Sequence, residues 1–501
     1  MTTLALSTAP AITSDVAALV VGVAEGPEGL TLAAGNDGLV ESFASLLATL
    51  SALGATGKAE QVTRLATLRD TGPALVVAVG LGRQQTRYDG EVLRRAAGAA
   101  VRELAGTAAV ATTLAQANGN PGAPELEAVA EGMLLGAYAF ERFRTVSAKG
   151  RKAPVAEVVL VVPEAAREAG LAAVRRSEIT ARAVALARDL VNTPPSHLHP
   201  EELADLARTE AERVGLVVEV LEGQALVDGG YGGIVGVGQG SQHGPRLVHL
   251  SYRGGGDDAR TVALIGKGIT FDSGGLSLKP AAAMEEMKMD MGGAAAVVAT
   301  MVAAAELALP VRLEAWVPMA ENMPSGEAIR PSDVLSMRSG KKVEVNNTDA
   351  EGRLILADAI ARACEDSPSV VLDIATLTGA QIIALGARTT AVMGDDAVRA
   401  AVIQAADRAG EPSWAMPLPA ELRKGLDSEI ADLSNIGPRE GGMLSAGLFL
   451  KEFVTEGVGW AHLDVAGPAY NSGEPYGYTP HGGTGAGVRT FLRYLEDLTA
   501  A

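Results

Sequence analysis

Short apolar runs alternate with longer amphipathic runs through the first third of the chain. Residues 17–23, 74–79 and 158–162 are apolar and are bounded by glycine, proline or charge, which is typical of buried strands. Residues 92–104 and 126–143 carry apolar side chains at three- and four-residue spacing, which predicts amphipathic helices. Because strands that alternate with helices form α/β domains, the pattern predicts such a domain at the N terminus.

A long helical run separates this region from a second one of the same kind. The run ends ahead of Pro194 and Pro195, and proline stops a helix because its ring removes a hydrogen-bond donor. A chain of 501 residues is also too long for a single ordinary core. We therefore predict an α/β protein with a smaller N-terminal α/β domain (1–163), a connecting helix (164–191) and a larger C-terminal catalytic domain (192–501). The sheet of the larger domain is expected to be mixed, mainly parallel and covered by helices.

Charge and cysteine content narrow the classes of partner. The formal net charge is −18, and so acidic a surface repels phosphate backbones and anionic lipids, which argues against nucleic acid and membranes as partners. The single cysteine, Cys364, excludes an intrachain disulfide, and its apolar surroundings predict a packed helix residue.

No Lys or Arg precedes Lys58, so the charged start of a secretory signal is missing, and the apolar helix 292–305 is too short to cross a bilayer. We therefore expect a cytoplasmic protein.

Two glycine-containing segments resemble nucleotide-binding motifs but lack their defining features. Residues 236–240 read Gly-Val-Gly-Gln-Gly after an apolar run, but a strand is predicted after them, where a dinucleotide-binding motif has a helix. We interpret them as a glycine turn. Gly266-Lys267 lacks the following Ser or Thr and the earlier glycine of a phosphate-binding loop. Neither the helical zinc-protease motif nor the serine elbow of α/β hydrolases is present in the sequence.

Three segments place carboxylates among glycines or apolar residues: 266–280, 287–295 and 347–354. The first begins where the predicted buried strand 262–265 ends, and loops at the carboxyl ends of strands in α/β sheets are the usual place for ligands. In the second, Asp290 lies between two methionines ahead of an apolar helix, where an unpaired carboxylate is costly.

The third segment adds a pair of carboxylates. Asp349 and Glu351 are two residues apart, so extended backbone would project both to one face, where like charges repel unless a cation lies between them. Each segment alone is also explained without a metal, by a turn after Asp272, a helix cap from Asp290, or ion pairs with Arg353. All three segments place carboxylates among apolar residues or glycines. Because the same arrangement occurs three times, we favour a site for divalent cations with oxygen ligands.

Residues 347–354, Asn-Thr-Asp-Ala-Glu-Gly-Arg-Leu, match the signature of the leucyl aminopeptidase family without a departure. The resemblance extends from roughly residue 185 to the C terminus and includes residues 192–195 and 460–464. The N-terminal part resembles the family in size and α/β character. The resemblance implies a metal-dependent aminopeptidase that removes N-terminal residues from peptides, assembled as a homohexamer from two trimers.

The resemblance also implies a role for each matching residue. Two divalent ions per subunit, Mn or Zn, would be held by Lys267, Asp272, Asp290, Asp349 and Glu351. Asp272 and Glu351 would bridge both ions. Lys267 and Asp290 would complete the more exchangeable site, and Asp349 would complete the other through its side chain and carbonyl.

Five further residues would act without binding metal. Lys279 would stabilise the oxyanion formed when a water shared by the ions attacks the peptide carbonyl. Arg353 would hold bicarbonate, or an equivalent anion, which carries the proton to the leaving amine. Met287, Thr376 and Gly379 would line an apolar pocket for the first side chain, with a preference for Leu or Met.

Two other functions compete with the peptidase. A two-metal phosphatase or nuclease would share the carboxylates but would need more cations for phosphate than Lys279 and Arg353 supply. A DNA-binding role would need basic stripes, and the densest basic clusters, 175–176 and 338–342, are small beside the net charge of −18. The sequence favours the peptidase.

Overall fold

The computed structural model describes residues 2–500, apart from 14, 37, 38, 40–44, 68–71 and 257–259. Contacts divide the chain into two units. The first is Met1–Ala185 with Gly473–His481, and the second is Leu186–Ser472 with Gly482–Ala501.

A mixed sheet with five neighbouring parallel strands forms the centre of the first unit. Its strands are β1 (Thr3–Ser7), β2 (Ala18–Gly26), β3 (Gly29–Leu32), β4 (Val62–Ala66), β5 (Leu75–Arg83), β6 (Ala109–Thr112) and β7 (Glu157–Val161). The order across the sheet is β1-β7-β6-β2-β5-β4, with β3 beside β2. β3 and β4 are antiparallel to their neighbours, and the other pairs are parallel. The first seven residues of β2 are all buried, as expected of a parallel strand covered on both faces.

The helices of the first unit are α1 (Leu46–Ala52), α2 (Gly90–Glu103), α3 (Ala123–Gly136) and most of α4 (Arg167–Asn192). The division between the units falls inside α4, the helix predicted as the connection, between Ala185 and Leu186. Gly473–His481 joins the first unit, although the predicted domain boundaries place it in the C-terminal domain. Hydrogen bonds explain this difference, because Arg102 Nη1 donates to Gly477 O at 2.5 Å and Tyr478 donates to Glu91 Oε1 at 2.9 Å.

A mixed, mainly parallel sheet of nine strands forms the centre of the second unit. Its strands are β8 (Val217–Glu222), β9 (Arg246–Arg253), β10 (Thr261–Gly266), β11 (Gly268–Asp272), β12 (Arg312–Asn322), β15 (Val370–Ala375), β16 (Thr390–Gly394), β17 (Ser413–Ala415) and β19 (Gly459–Asp464). The order is β17-β16-β19-β15-β10-β12-β9-β8, with β11 beside β12. The central strands β19, β15, β10 and β12 are mutually parallel. This arrangement confirms the predicted fold class.

Smaller strands and helices complete the second unit. The strands are β13 (Asp333–Ser336), β14 (Lys342–Val345), β18 (Leu433–Ser434), β20 (Tyr470–Asn471) and β21 (Gly482–Gly483). The helices after α4 are α5 (Pro200–Arg213), α6 (Gln224–Asp228), α7 (Gly232–Gly238), α8 (Ala281–Met284), α9 (Gly292–Glu306), α10 (Gly352–Glu365), α11 (Gly379–Leu385), α12 (Asp396–Ala409), α13 (Gly442–Lys451) and α14 (Val488–Ala500). Both α9 and α10 pack on β10 and β15.

Two helices behave as their composition predicts. Within the described part of the chain, the helical stretch Ala281–Glu306 is long and apolar enough to cross a membrane, but 89% of its most apolar window is buried inside the protein. Its second half, α9, is the predicted core helix. Cys364 lies buried in α10, where burial raises the pKa of its thiol, so the prediction of a packed helix residue is confirmed.

The prediction of a glycine turn at 236–240 after a strand is wrong for residues 236–238, which belong to a helix, and only residues 239–240 form a turn. α7 covers Gly232–Gly238, and its glycines allow close packing. A Cβ on Gly232 would come within 2.0 Å of Ser336 O, and one on Gly233 within 2.4 Å of Leu354 O. Tertiary contact with neighbouring segments therefore outweighs the low helix propensity of glycine.

Loss of the Asp358 carboxylate is expected to destabilise this region. Asp358 is fully buried in α10, and its oxygens accept hydrogen bonds from the backbone N–H groups of Gly233, Ile234 and Arg338 at 2.7, 3.0 and 2.8 Å. Asp358→Ala leaves three buried donors without an acceptor, so the free energy of unfolding should fall by about 3 kcal/mol or more. Urea unfolding measures the change.

Asp366→Ala, at the exposed end of the same helix, is the control and should differ from wild type by less than ~1 kcal/mol in the free energy of unfolding. An Asp358→Ala midpoint equal to that of Asp366→Ala would contradict the role.

Candidate metal centre

Charged residues meet at the carboxyl ends of the parallel strands of the second unit. Lys267 follows β10 directly, and Asp272 is the last residue of β11. Asp290 lies two residues ahead of α9 and Glu351 immediately ahead of α10, where the N-termini of helices favour negative charge. One carboxylate oxygen from each of Asp272, Asp290 and Glu351 lies within 4.8 Å of the others, and all three residues are buried.

Glycines shape the loop that presents Asp272. Gly274 and Gly275 have φ values of +87° and +64°, which residues with a Cβ rarely adopt. The tight turn lets Gly274 N donate to Asp272 Oδ1 at 2.8 Å. Thr348, from the signature segment, fastens the loop by donating to Gly274 O at 2.6 Å and accepting from Ser277 N at 2.8 Å. The loop is therefore tied directly to the segment that carries Asp349 and Glu351.

Two lysines lie among the carboxylates. Lys267 Nζ is 2.7 Å from Asp290 Oδ1 and 2.9 Å from Glu351 Oε1. Lys279 Nζ is 2.8 Å from Asp272 Oδ2 and 2.5 Å from Asp349 Oδ1. The structure thus brings together the five predicted metal ligands and Lys279.

The charges at this site do not balance. Four carboxylates and two ammonium groups leave a formal charge of −2 in a largely buried site. Burial raises the pKa of Asp272, Asp290 and Asp349, because it disfavours the ionised form. Burial lowers the pKa of the two lysines, but the surrounding carboxylates outweigh it and hold both values above the ordinary one. The excess negative charge is what divalent cations would neutralise.

Unpaired carboxylate oxygens favour a metal site over a set of internal ion pairs. Among the described residues, the buried atoms Asp290 Oδ2 and Glu351 Oε2 have no hydrogen-bond partner. A buried polar atom without a partner costs about 1–3 kcal/mol, so folded proteins rarely keep one without a ligand. The donor set is four carboxylates and a lysine, and carboxylate oxygens suit Mn²⁺ and Mg²⁺ and also bind Zn²⁺. The residues therefore fit divalent ions.

Neighbouring polar side chains orient the carboxylates. Asn322, the last residue of β12, donates through Nδ2 to Asp272 Oδ1 at 2.8 Å and to Thr348 O at 3.0 Å. Thr376, which follows β15, donates to Asp290 Oδ1 at 2.8 Å. The sequence analysis did not identify Asn322, although a polar residue at the carboxyl end of an apolar strand is a signal that could have found it.

Arg353 does not form the ion pairs that a metal-free explanation requires. The guanidinium is buried and donates through Nη1 to Asn435 O at 2.9 Å, while Nε has no partner among the described residues. In the part of the chain that the structure describes, no carboxylate lies within ion-pair distance of it. Burial lowers the pKa of Arg353 to about 10. A buried cation without a paired carboxylate can bind an anion.

The three predicted substrate residues lie on different segments. Met287 begins a short turn, Met287–Met289, and accepts a hydrogen bond from Asp290 N at 3.3 Å. Thr376 contacts the cluster through its hydroxyl group. Gly379 begins α11, and a Cβ built on it would have no atom within 4 Å. The structure therefore connects Met287 and Thr376 to Asp290 and leaves open space beside Gly379.

Sequence comparison matches the chain to one family over most of its length. The sequence model of the cytosol aminopeptidase family, catalytic domain, matches residues 185–492, and that of its N-terminal domain matches residues 20–147. A "probable cytosol aminopeptidase" of Streptomyces griseus is 53% identical over 517 residues, covering 100% of this chain and 99% of the relative. Another protein of that name, from Nocardia farcinica, is 55% identical over 494 residues, covering 97% of this chain and 96% of the relative.

Solved structures give the same result. The bottromycin maturation enzyme BotP in complex with Mn is 40% identical, with a TM-score of 0.85, and the match covers 97% of this chain and 100% of that one. A mutant of tomato leucine aminopeptidase is 29% identical, with a TM-score of 0.86, covering 99% and 97%. Together with the carboxylate site, these matches show that the chain belongs to the cytosol aminopeptidase family and is a metal-dependent aminopeptidase.

Proposed function

We propose that this aminopeptidase holds two divalent ions and removes apolar residues, Leu and Met above all, from the N termini of peptides. The convergence of four carboxylates and two lysines, with buried carboxylate oxygens left unpaired, is the observation that carries the proposal. In this assignment Asp272 and Glu351 would be shared by the two ions, as the resemblance to the family implies. Each has a contact with a different lysine.

The remaining ligands belong to one ion each. Asp290 and Lys267, which lie 2.7 Å apart, are assigned to the exchangeable ion, and Asp349 to the other. Lys267 must lose a proton before it can donate a lone pair, and the positive charge of a neighbouring dication favours that loss. Ions held by these residues would lower the pKa of a bound water and so would supply a nucleophile near neutral pH.

Two cations of the protein are assigned to the reaction itself. Lys279 lies beside Asp272 and Asp349 and can stabilise negative charge that develops on the carbonyl oxygen of the substrate. Arg353, buried and without a paired carboxylate among the described residues, would hold bicarbonate or an equivalent anion, which would supply a carrier for the proton that the leaving amine needs.

The preference for Leu and Met rests on the surroundings of Asp290. Met287, Thr376 and Gly379 are assigned to the pocket for the first side chain. A Cβ built on Gly292 would lie 3.2 Å from Ala469 Cβ and 3.5 Å from Thr376 Cγ2, so small apolar groups surround the start of α9. An apolar lining of this kind disfavours charged side chains.

Removal of the metal is expected to abolish the activity reversibly. Exhaustive treatment with a chelator should lower the rate of leucine-anilide hydrolysis by ~10²-fold or more, because the nucleophile depends on the ions. Re-addition of Mn²⁺ or Zn²⁺ should restore it, and the ratio of the two restored rates compares the metals. A glutamate anilide serves as the control substrate. Full activity in metal-free protein would refute the metal centre, and faster cleavage of the glutamate anilide would refute the apolar preference.

Assembly and location complete the proposal. We assign the chain to a cytoplasmic homohexamer of two trimers, without nucleic acid or membrane partners. Large apolar side chains on the second unit support association between copies, since Ile383 is 85% exposed and Trp414 63% exposed.

A further inference from the structure

One buried amide holds the segment that carries two of the carboxylates. Asn435 directly follows β18 (Leu433–Ser434), and its side chain is fully buried. Its Oδ1 accepts from the backbone N–H groups of Asn346 and Asn347 at 2.8 and 3.2 Å. Its Nδ2 donates to the carbonyls of Asn347 and Ala350 at 2.7 and 3.3 Å. The carboxamide of Asn435 thus pairs with two donors and two acceptors of the loop. Only an amide side chain both donates and accepts in this way.

The backbone of the same residue reaches the anion-binding cation. Asn435 N donates to Glu344 O at 2.9 Å, which continues the pairing of β14 with β18. Asn435 O accepts from Arg353 Nη1 at 2.9 Å. A single residue therefore contacts both the loop ahead of α10 and the guanidinium on its first turn.

We infer that Asn435 is a positioning residue that fixes the ion held by Asp349. The inference rests on the proposed function and goes beyond it, because Asn435 is not among the assigned ligands. Ala350 lies between Asp349 and Glu351, so displacement of its carbonyl moves both carboxylates. Asp290 comes from a separate segment and is held by other groups, Lys267 and Thr376. Loss of the carboxamide therefore acts on one ion more than on the other.

Titration of the protein with Mn²⁺, followed by calorimetry, tests this selectivity. Wild type should show two binding events. Asn435→Ala, and Asn435→Asp as a variant of equal size without the amide donor, should weaken one event by about 10–100-fold, the usual cost of losing a group that orients a metal ligand. The other event should weaken by a clearly smaller factor, because its ion loses the position of Glu351 alone and keeps Asp290 and Lys267. In the Mn²⁺-saturated variants, kcat should fall by ~10-fold or more while KM stays within about threefold.

A matched control removes a neighbouring buried group. Ser434 accepts from Asn346 Nδ2 at 3.0 Å and donates to Ile436 O at 2.8 Å, so Ser434→Ala weakens the same segment without touching residues 347–353. It should lower the melting temperature and leave both Mn²⁺ affinities unchanged. The inference fails if either Asn435 variant binds both ions as wild type does, or if both events weaken equally. A wild-type protein that binds no Mn²⁺ would overturn the proposed function, and the inference with it.

Discussion

Glu351→Gln is expected to lower kcat/KM for a leucine anilide by ~10³-fold or more. Loss of a group that only orients a ligand costs about 10–100-fold, and loss of a carboxylate shared by two ions should cost more. Glutamine keeps the size of the side chain and removes its charge, so it fills the same buried space, with Lys267 still paired to Asp290 at 2.7 Å. Steady-state kinetics at saturating Mn²⁺, together with metal analysis of the dialysed protein, measures the effect.

Stability separates this loss of activity from misfolding. Without metal, Glu351 contributes to an excess of negative charge, so the glutamine variant should melt within a few degrees of wild type in chelator. When Mn²⁺ is added, the melting temperature of wild type should rise markedly, and that of Glu351→Gln should not. Glu365→Gln, at the opposite end of α10 and paired with Arg338, is the matched control and should retain full activity. A Glu351→Gln enzyme with normal turnover and two bound ions would refute the assignment.

The carboxylates of the site could be predicted because their signals are local. Asp290 between methionines, and Asp349 two residues from Glu351, are unfavourable arrangements unless a partner exists, and that cost can be recognised within a few residues of sequence. Strand β10 and helix α9 are similarly local, since each is a continuous apolar run. The roles of the individual residues came from the resemblance of residues 347–354 to a family, and they stay proposals.

The groups that orient the carboxylates could not be predicted in the same way. Asn435 lies 88 positions from Asn347, and Asn322 lies 50 positions from Asp272, so their contacts depend on which strands become neighbours. Asn322 does end an apolar strand, but Asn435 follows a strand of only two residues and has no comparable local signal. The parallel pairing of β11 with β12 places Asn322 opposite Asp272, and that pairing follows from the packing of the whole unit.

The lysines show a second limit of the sequence. Lys267 was predicted as a metal ligand and Lys279 as a catalytic group, yet each forms ion pairs with two carboxylates in the structure. Spacing along the chain does not show that a cation of the protein and a metal ion share the same acidic oxygens. This sharing implies that each metal ion competes with an ammonium group, so metal binding should release protons and strengthen as pH rises.

Lys279→Ala is expected to lower kcat on the order of 10²–10³-fold, as loss of an oxyanion donor does in other enzymes. KM should change little, because the interaction forms in the transition state. Affinity for Mn²⁺ should not fall, since Asp272 and Asp349 lose a competing ammonium group. Kinetics and Mn²⁺ titration of the same preparation measure both quantities, with Lys342→Ala, an exposed lysine on β14, as the control at wild-type activity. Near-normal turnover of Lys279→Ala with both ions bound would show that Lys279 takes no part in the reaction. Loss of one bound ion in the variant would show instead that Lys279 maintains the structure of the metal site.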